Sequence, residues 1–174
     1  MKKKSLQITQ TAVLAAMLVL LQSVTKAGGQ LVTGSCVNAV LAIAALLCGA
    51  WIAVAVAVIS PFFAFLLGIG PQIIPIVPAI AVGNVIYVLI LHFLCSKKNS
   101  PIFRQGIGLL CAAVCKFLAL YFIVTQLLCQ VLPLPEKQVA TFSTMFSWPQ
   151  LITALIGGAV ALLTAPVLRK AFRR

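Results

Sequence analysis

Apolar residues occupy most of this chain in long blocks, and the polar and helix-breaking positions between the blocks set the elements. An apolar stretch from Leu6 to Val24 follows Lys2, Lys3 and Lys4 and predicts a first helix. A polar, glycine-bearing connection from Lys26 to Ser35 comes next, and apolar residues then run almost unbroken from Cys36 to Gly68. One bilayer crossing takes about 20 residues, so this run is too long for a single helix. A break at Cys48-Gly49 divides it into helices near Leu31–Leu47 and Ala50–Leu67, joined by a tight turn. The segment Gly68 to Pro78 carries three prolines and two glycines and cannot be helical throughout. Its backbone is expected to lie against protein rather than lipid. The remaining blocks predict helices near Ile76–Cys95, Gly106–Leu132 and Trp148–Leu168, with Pro133 to Ser147 as a loop.

The expected fold class is all-α, an integral membrane bundle of about six transmembrane helices. It forms a single transmembrane domain over residues 1–174. Composition agrees: 63% of the residues are hydrophobic, 8% are charged, and the mean hydropathy is +1.18. A soluble domain of this length could not hide so much apolar surface. The first stretch has a signal-like core, Ala12 to Leu21, but Ser23-Val24-Thr25-Lys26-Ala27 is an indifferent cleavage site, so a retained helix is expected.

The net charge of +12 changes the picture only through its placement. With the N-terminus inside, Lys2, Lys3, Lys4, Lys97, Lys98, Arg104, Arg169, Lys170, Arg173 and Arg174 all fall on the inner side. Lys26 and Lys137 fall outside, and Lys116 lies within the fifth helix. This asymmetry predicts a multi-pass membrane protein with cytoplasmic N and C termini and the lipid bilayer as its medium. No segment could form a basic face on a folded domain, which excludes a nucleic-acid partner.

Glu136 is the only carboxylate side chain, and it sits in an expected outer loop. No acidic pair is available for acid–base work, for a magnesium diphosphate, or for a proton relay across the membrane. His92 has no acidic residue to orient it and reads as a boundary or packing histidine rather than a catalytic base. An enzyme, a cofactor and a metal site are therefore not expected. No phosphate-binding loop of the G-x-x-x-x-G-K-[ST] type is present, so any ATP-driven step needs a partner. The six cysteines, including Cys111 and Cys115 on one helical face, read as small packing residues.

Two patterns remain. Small residues recur every four positions at Ala12 and Ala16, at Gly49, Ala53 and Ala57, and at Gly157, Ala161 and Ala165. Such strips serve close helix approach, either within the bundle or to a partner. Polar side chains gather toward the outer half: Gln30, Thr33, Asn38, Gln72, Asn84, Gln126, Gln130, Trp148 and Gln150. They suit an uncharged or zwitterionic ligand, or else hydrogen bonds between helices with an interfacial Trp. Lys116, about 10 residues inside the fifth helix and so about 15 Å from its cytoplasmic end, must snorkel, meet carbonyl groups, or meet an anionic ligand.

The run Thr33-Gly34-Ser35-Cys36-Val37-Asn38-Ala39-Val40-Leu41, with Leu46-Leu47-Cys48-Gly49, Ser60-Pro61, Pro75, Pro78 and Gly83-Asn84, resembles the substrate-binding S component of energy-coupling factor (ECF) transporters. The resemblance implies a membrane-embedded subunit that captures a vitamin or related small molecule. A transmembrane T component and two ATPase subunits would drive its uptake. It implies docking through an Ala-x-x-x-Ala pattern, matched by Ala12 and Ala16, and a ligand pocket near the outer face. In this chain that region holds Gln72, Asn84, Gln126, Trp148 and Gln150, with Lys116 a further candidate. A structural subunit of a membrane complex and a small autonomous channel or carrier are the alternatives.

Overall fold

A computed structural model describes residues 2–97 and 101–171. Lys98, Arg173 and Arg174, used above for sidedness, lie outside the described residues. The regular structure within these residues is helical throughout, with no strand. The helices are α1 (Lys2–Thr25), α2 (Gly29–Ile43), α3 (Ala50–Leu66), α4 (Ile76–Cys95), α5 (Ile102–Leu120), α6 (Glu136–Met145) and α7 (Trp148–Ala171). A π-helical turn, Ala44–Cys48, extends α2, and Tyr121–Leu128 with Cys129–Val131 extends α5.

Four helical stretches are long and apolar enough to cross a membrane: Lys4–Cys48, Ile76–Cys95, Ile102–Val131 and Glu136–Lys170. The first contains both α1 and α2, which pack against each other on either side of a sharp turn. Ala50–Leu66 is apolar but shorter. The exterior carries large apolar side chains such as Trp51, Leu66, Ile102 and Leu163, all more than 70% exposed, a surface suited to hydrocarbon rather than water.

Glycine makes the turns. Gly49, at φ +100°, separates the end of α2 from α3 at the expected Cys48-Gly49 break. Gly29, at φ +76°, follows a single 3-10 turn, Lys26–Gly28, and starts α2. The connection expected over Lys26 to Ser35 is thus almost entirely helix, and Gln30, Thr33 and Ser35 belong to α2. The Thr33 hydroxyl donates to the Thr25 carbonyl across the turn at 2.8 Å, holding α1 and α2 close.

A second departure is α6, where a loop was expected. Pro135 precedes its first residue, Glu136 stands in its first turn, and Phe142 and Phe146 are buried against Ile76, Ala79, Leu120 and Val124. Proline and an acidic residue both favour a helix start, and the two phenylalanines anchor the segment to the bundle.

The bundle core draws on α1, α2, α3, α4, α5 and α7, with α2 and α7 the most extensive pair. Of the three small-residue strips, two are internal: Ala53 and Ala57 are fully buried, and Gly157, Ala161 and Ala165 pack inside. A Cβ on Gly157 would stand 2.5 Å from the Ser35 carbonyl oxygen and 2.6 Å from the Ala39 nitrogen, so only glycine lets α7 lie this close to α2. Cys111 and Cys115, expected as packing residues, are instead exposed on the outside of α5. They share a face as expected, but that face points away from the bundle.

At one end of the bundle a guanidinium nitrogen of Arg169 donates to the carbonyls of Leu46 and Ser96 at 3.1 and 2.9 Å, joining the ends of α2, α4 and α7. His92 Nδ1 lies 2.9 Å from the Ala45 carbonyl oxygen at the same end.

Candidate functional site

A cavity of about 240 Å³ opens toward the end of the bundle opposite Arg169. The end of α1 contributes Gln22 and Lys26, and α2 contributes Gln30, Thr33 and Asn38. Ser60 of α3, Asn84 of α4, Lys116 of α5 and Gln150 of α7 complete the polar lining. Phe65, Ile80 and Phe146 supply apolar wall, and the glycine turn at Gly70 borders it.

The deepest polar group is Lys116, which is 3% exposed. Its ammonium donates to Asn38 Oδ1 at 2.6 Å and to Asn84 Oδ1 at 2.8 Å, binding α5 to both α2 and α4. Asn38 Nδ2 in turn donates to Thr153 Oγ1 of α7 at 3.2 Å. Lys116 Nζ also stands 5.3 Å from the centre of the Tyr87 ring, whose hydroxyl donates to the Ala154 carbonyl at 2.8 Å. Four helices are therefore held in register around one buried cation.

Lys116 does not snorkel, and the carbonyls it meets are side-chain amides rather than backbone. Amide oxygens accept its protons but carry no net charge. Glu136, the only carboxylate side chain of the chain, is not among the residues that line the cavity. Gln22 is 4% exposed, and its Oε1 is buried with no hydrogen-bond partner. In a native interior nearly every such atom is satisfied, so this acceptor is conspicuous.

Of the positions expected to contact substrate, the structure brings Asn84, Lys116 and Gln150 to this cavity. Gln150 Nε2 donates to the Met145 carbonyl at 3.2 Å, a bond that Gln30 Nε2 also makes at 2.6 Å, closing α6 over the α2–α7 pair. Gln72, Gln126 and Trp148 lie outside it. Gln72 is exposed and turned back to the Gly70 carbonyl at 3.4 Å, Gln126 is exposed and donates to the Tyr121 hydroxyl at 3.1 Å, and Trp148 is 57% exposed. The expected grouping treated depth along the bundle as sufficient, whereas helix rotation decides which of these side chains turn inward.

Gln22 escaped the sequence reading because it lies within the apolar run of the first helix. The available signal was a neutral amide in the last turns of a membrane helix, a placement that normally faces protein or a ligand.

A second concavity, about 910 Å³ and almost wholly apolar, runs between α1 and α3 on the outside of the bundle. Ala12 and Ala16 are exposed in its floor, with Ala15, Trp51 and Phe63 also lining it. Unlike the other two small-residue strips, this one has no helix among the described residues laid over it.

The family model for the ECF transporter, substrate-specific component, matches residues 6–169. No curated protein and no solved structure matches the chain.

Proposed function

This chain belongs to the substrate-specific components of ECF transporters, and on that premise we propose that it captures a vitamin-like small molecule in the Lys116 cavity from the outer face of the membrane. Members of this family are membrane transport subunits that bind substrate and are not enzymes. The observation that carries the reading is the cavity itself. In a bundle that is apolar almost everywhere, polar side chains from six helices converge on one open space. Burial of that many donors and acceptors in a membrane helix bundle calls for a functional partner.

The topology belongs to the same proposal. The helices α1, α2, α3, α4, α5 and α7 form one multi-pass transmembrane domain in a prokaryotic plasma membrane, with both termini cytoplasmic. The basic residues support this, since Lys4, Lys97, Arg104, Arg169 and Lys170 fall on the inner side in that orientation. The cavity then faces out. Uptake is driven by a transmembrane T component and two ATPase subunits, with the Ala12/Ala16 groove as the docking face. A helix of the T component can approach closely over alanines, where packing rather than hydrophobicity drives association in lipid.

Reconstitution tests the proposal. Purified protein alone in liposomes should bind labelled substrate without accumulating it, even with ATP enclosed, and should accumulate it once the T component and ATPases are added. Accumulation by the isolated chain would overturn the reading in favour of an autonomous carrier.

A further inference from the structure

We propose that the molecule held in this cavity is a small carboxylate that also carries an N–H or O–H donor, the carboxylate meeting Lys116 and the donor meeting Gln22 Oε1. The inference rests on the capture reading above and narrows it from any small molecule to an anion.

Charge comes first. Taking an ammonium group out of water costs several kcal/mol, and amide dipoles repay this less well than an opposite charge does. Lys116 has three donor protons, of which Asn38 and Asn84 accept two. The cavity lining holds a second cation, Lys26, and no carboxylate. Two lysines without a counter-charge make the empty space electropositive, and low-dielectric walls such as Phe65 and Phe146 strengthen that field. An anion is the occupant that such a cavity favours over a neutral molecule of the same shape.

The donor is argued independently. Gln22 Oε1 is a buried acceptor with no partner among the described residues, and Gln22 lines the same cavity. An anionic group could not satisfy it, because a carboxylate offers only acceptors. The ligand must therefore present a hydrogen on a second polar atom, at the α1 side.

The choice of carboxylate over phosphate follows from the cations. Forked guanidinium donors are the side chains that match the geometry of a phosphate group. No arginine lines this cavity, and each of its cations is a single lysine. Size restricts the molecule further. A volume of about 240 Å³ corresponds to the share of about eight liquid waters at ~30 Å³ each, which admits a compact metabolite.

The test uses the full chain in detergent and matched probe pairs that differ in charge: nicotinate with nicotinamide, pantothenate with pantothenol, and biotin with its primary amide. Thermal stabilisation and affinity are read together. At least one carboxylate should bind at least ten-fold more tightly than its neutral counterpart. Lys116→Met should abolish that preference and weaken carboxylate binding by about ten- to a hundred-fold, the range for a hydrogen bond to a charged group. The same variant should lower the ligand-free melting temperature, because Asn38 and Asn84 Oδ1 lose their buried donor, so affinity is read on the folded fraction. Gln22→Leu should weaken binding while the preference for carboxylate survives. Should Lys116→Met fail to fold, Lys116→Gln makes the same charge test. Neutral probes binding as tightly as carboxylates, or a preference that persists in the Lys116 variants, would overturn the anion inference and leave substrate capture standing. If no probe of either charge stabilises the wild-type chain, the capture reading falls and the inference with it.

Discussion

The α1–α3 groove and the Lys116 cavity are both concave and both bordered by α1, yet they ask for different occupants. The groove is about 910 Å³, open along its length, and floored by Ala12 and Ala16. It offers dispersion contacts and almost nothing else. The cavity is about 240 Å³ and carries Lys116, Lys26, Asn84 and the unpartnered Gln22. In water the groove would be the more sticky of the two. In lipid the order reverses, since hydrocarbon satisfies an alanine surface but cannot satisfy a buried ammonium or amide. On the proposed reading one helix serves two tasks on two faces: small residues outward for a partner helix, and Gln22 inward at its end for a solute. If this division is real, substitutions in the two regions should dissociate uptake from binding.

The largest effect is expected in the groove. Ala12→Trp or Ala16→Trp fills the floor with a bulky ring at a position that is exposed in the isolated chain. We expect uptake by cells holding the partner proteins to be abolished, while purified variants bind ligand with wild-type affinity. Wild-type uptake by both variants would mean that this groove faces only lipid, and the comparison would lose one of its sides.

Next comes the helix contact that holds the cavity in shape. Gly157→Ala places a methyl against the Ser35 carbonyl and the Ala39 nitrogen, backbone atoms that cannot swing aside. Overpacking of this kind costs about 1–3 kcal/mol. The variant should melt earlier and bind more weakly, because α2 and α7 carry Asn38 and Thr153, the pair that positions Lys116. An unchanged melting temperature would show that the α2–α7 approach is looser than the structure has it.

Much of this arrangement can be traced in the sequence, and the failures share one cause. Breaks show wherever glycine or proline forces them: Cys48-Gly49 ends the second helix, and α4 runs from Ile76 to Cys95 after its proline-rich approach, as hydropathy and turn chemistry suggest. Polar character misled where Gln30, Thr33 and Ser35 were read into a connection, although the last two also fell in the helix expected from Leu31. Their side chains serve the cavity, a bond across the turn, and the helix's own backbone, so they belong inside a helix. It misled again at Glu136 to Met145, where low hydropathy concealed an amphipathic helix anchored by Phe142. Lys116 could be recognised as a cation needing partners, and Asn38 and Asn84 as amides needing them. Their meeting depends on the rotation of α2, α4 and α5 about their axes, which no spacing along one strand of sequence specifies. Rotation likewise turns Gln126 and Trp148 away from this cavity, and Gln72 stands in the connection before α4, outside it.

A smaller effect separates two roles of one amide. Asn84→Ala removes an acceptor from Lys116, and an unmet hydrogen bond to a charged group costs on the order of 1–3 kcal/mol. If the ammonium also holds the ligand, losing its positioning should raise the dissociation constant by about ten-fold, one decade per 1.4 kcal/mol. A drop in melting temperature with affinity intact in the folded fraction would assign Asn84 to helix packing alone. Both quantities should be measured on one preparation.

The smallest effect belongs to the polar positions that the fold turns away. Gln126 sits in the π-helical part of α5, exposed, with its amide on the Tyr121 hydroxyl five residues back. Trp148 is more than half exposed at the start of α7. Neither lines the cavity, so Gln126→Ala and Trp148→Leu should each change affinity by less than about two-fold and stability by within ~0.5 kcal/mol, as surface substitutions usually do. These variants are informative because they lie on the same helices as Lys116 and Gln150 while facing away from the cavity. A ten-fold loss of affinity in either would mean that the ligand spreads over the mouth of the bundle beyond the Lys116 cavity. The division between a polar interior site and an apolar exterior face would then have to be redrawn along α5 and α7.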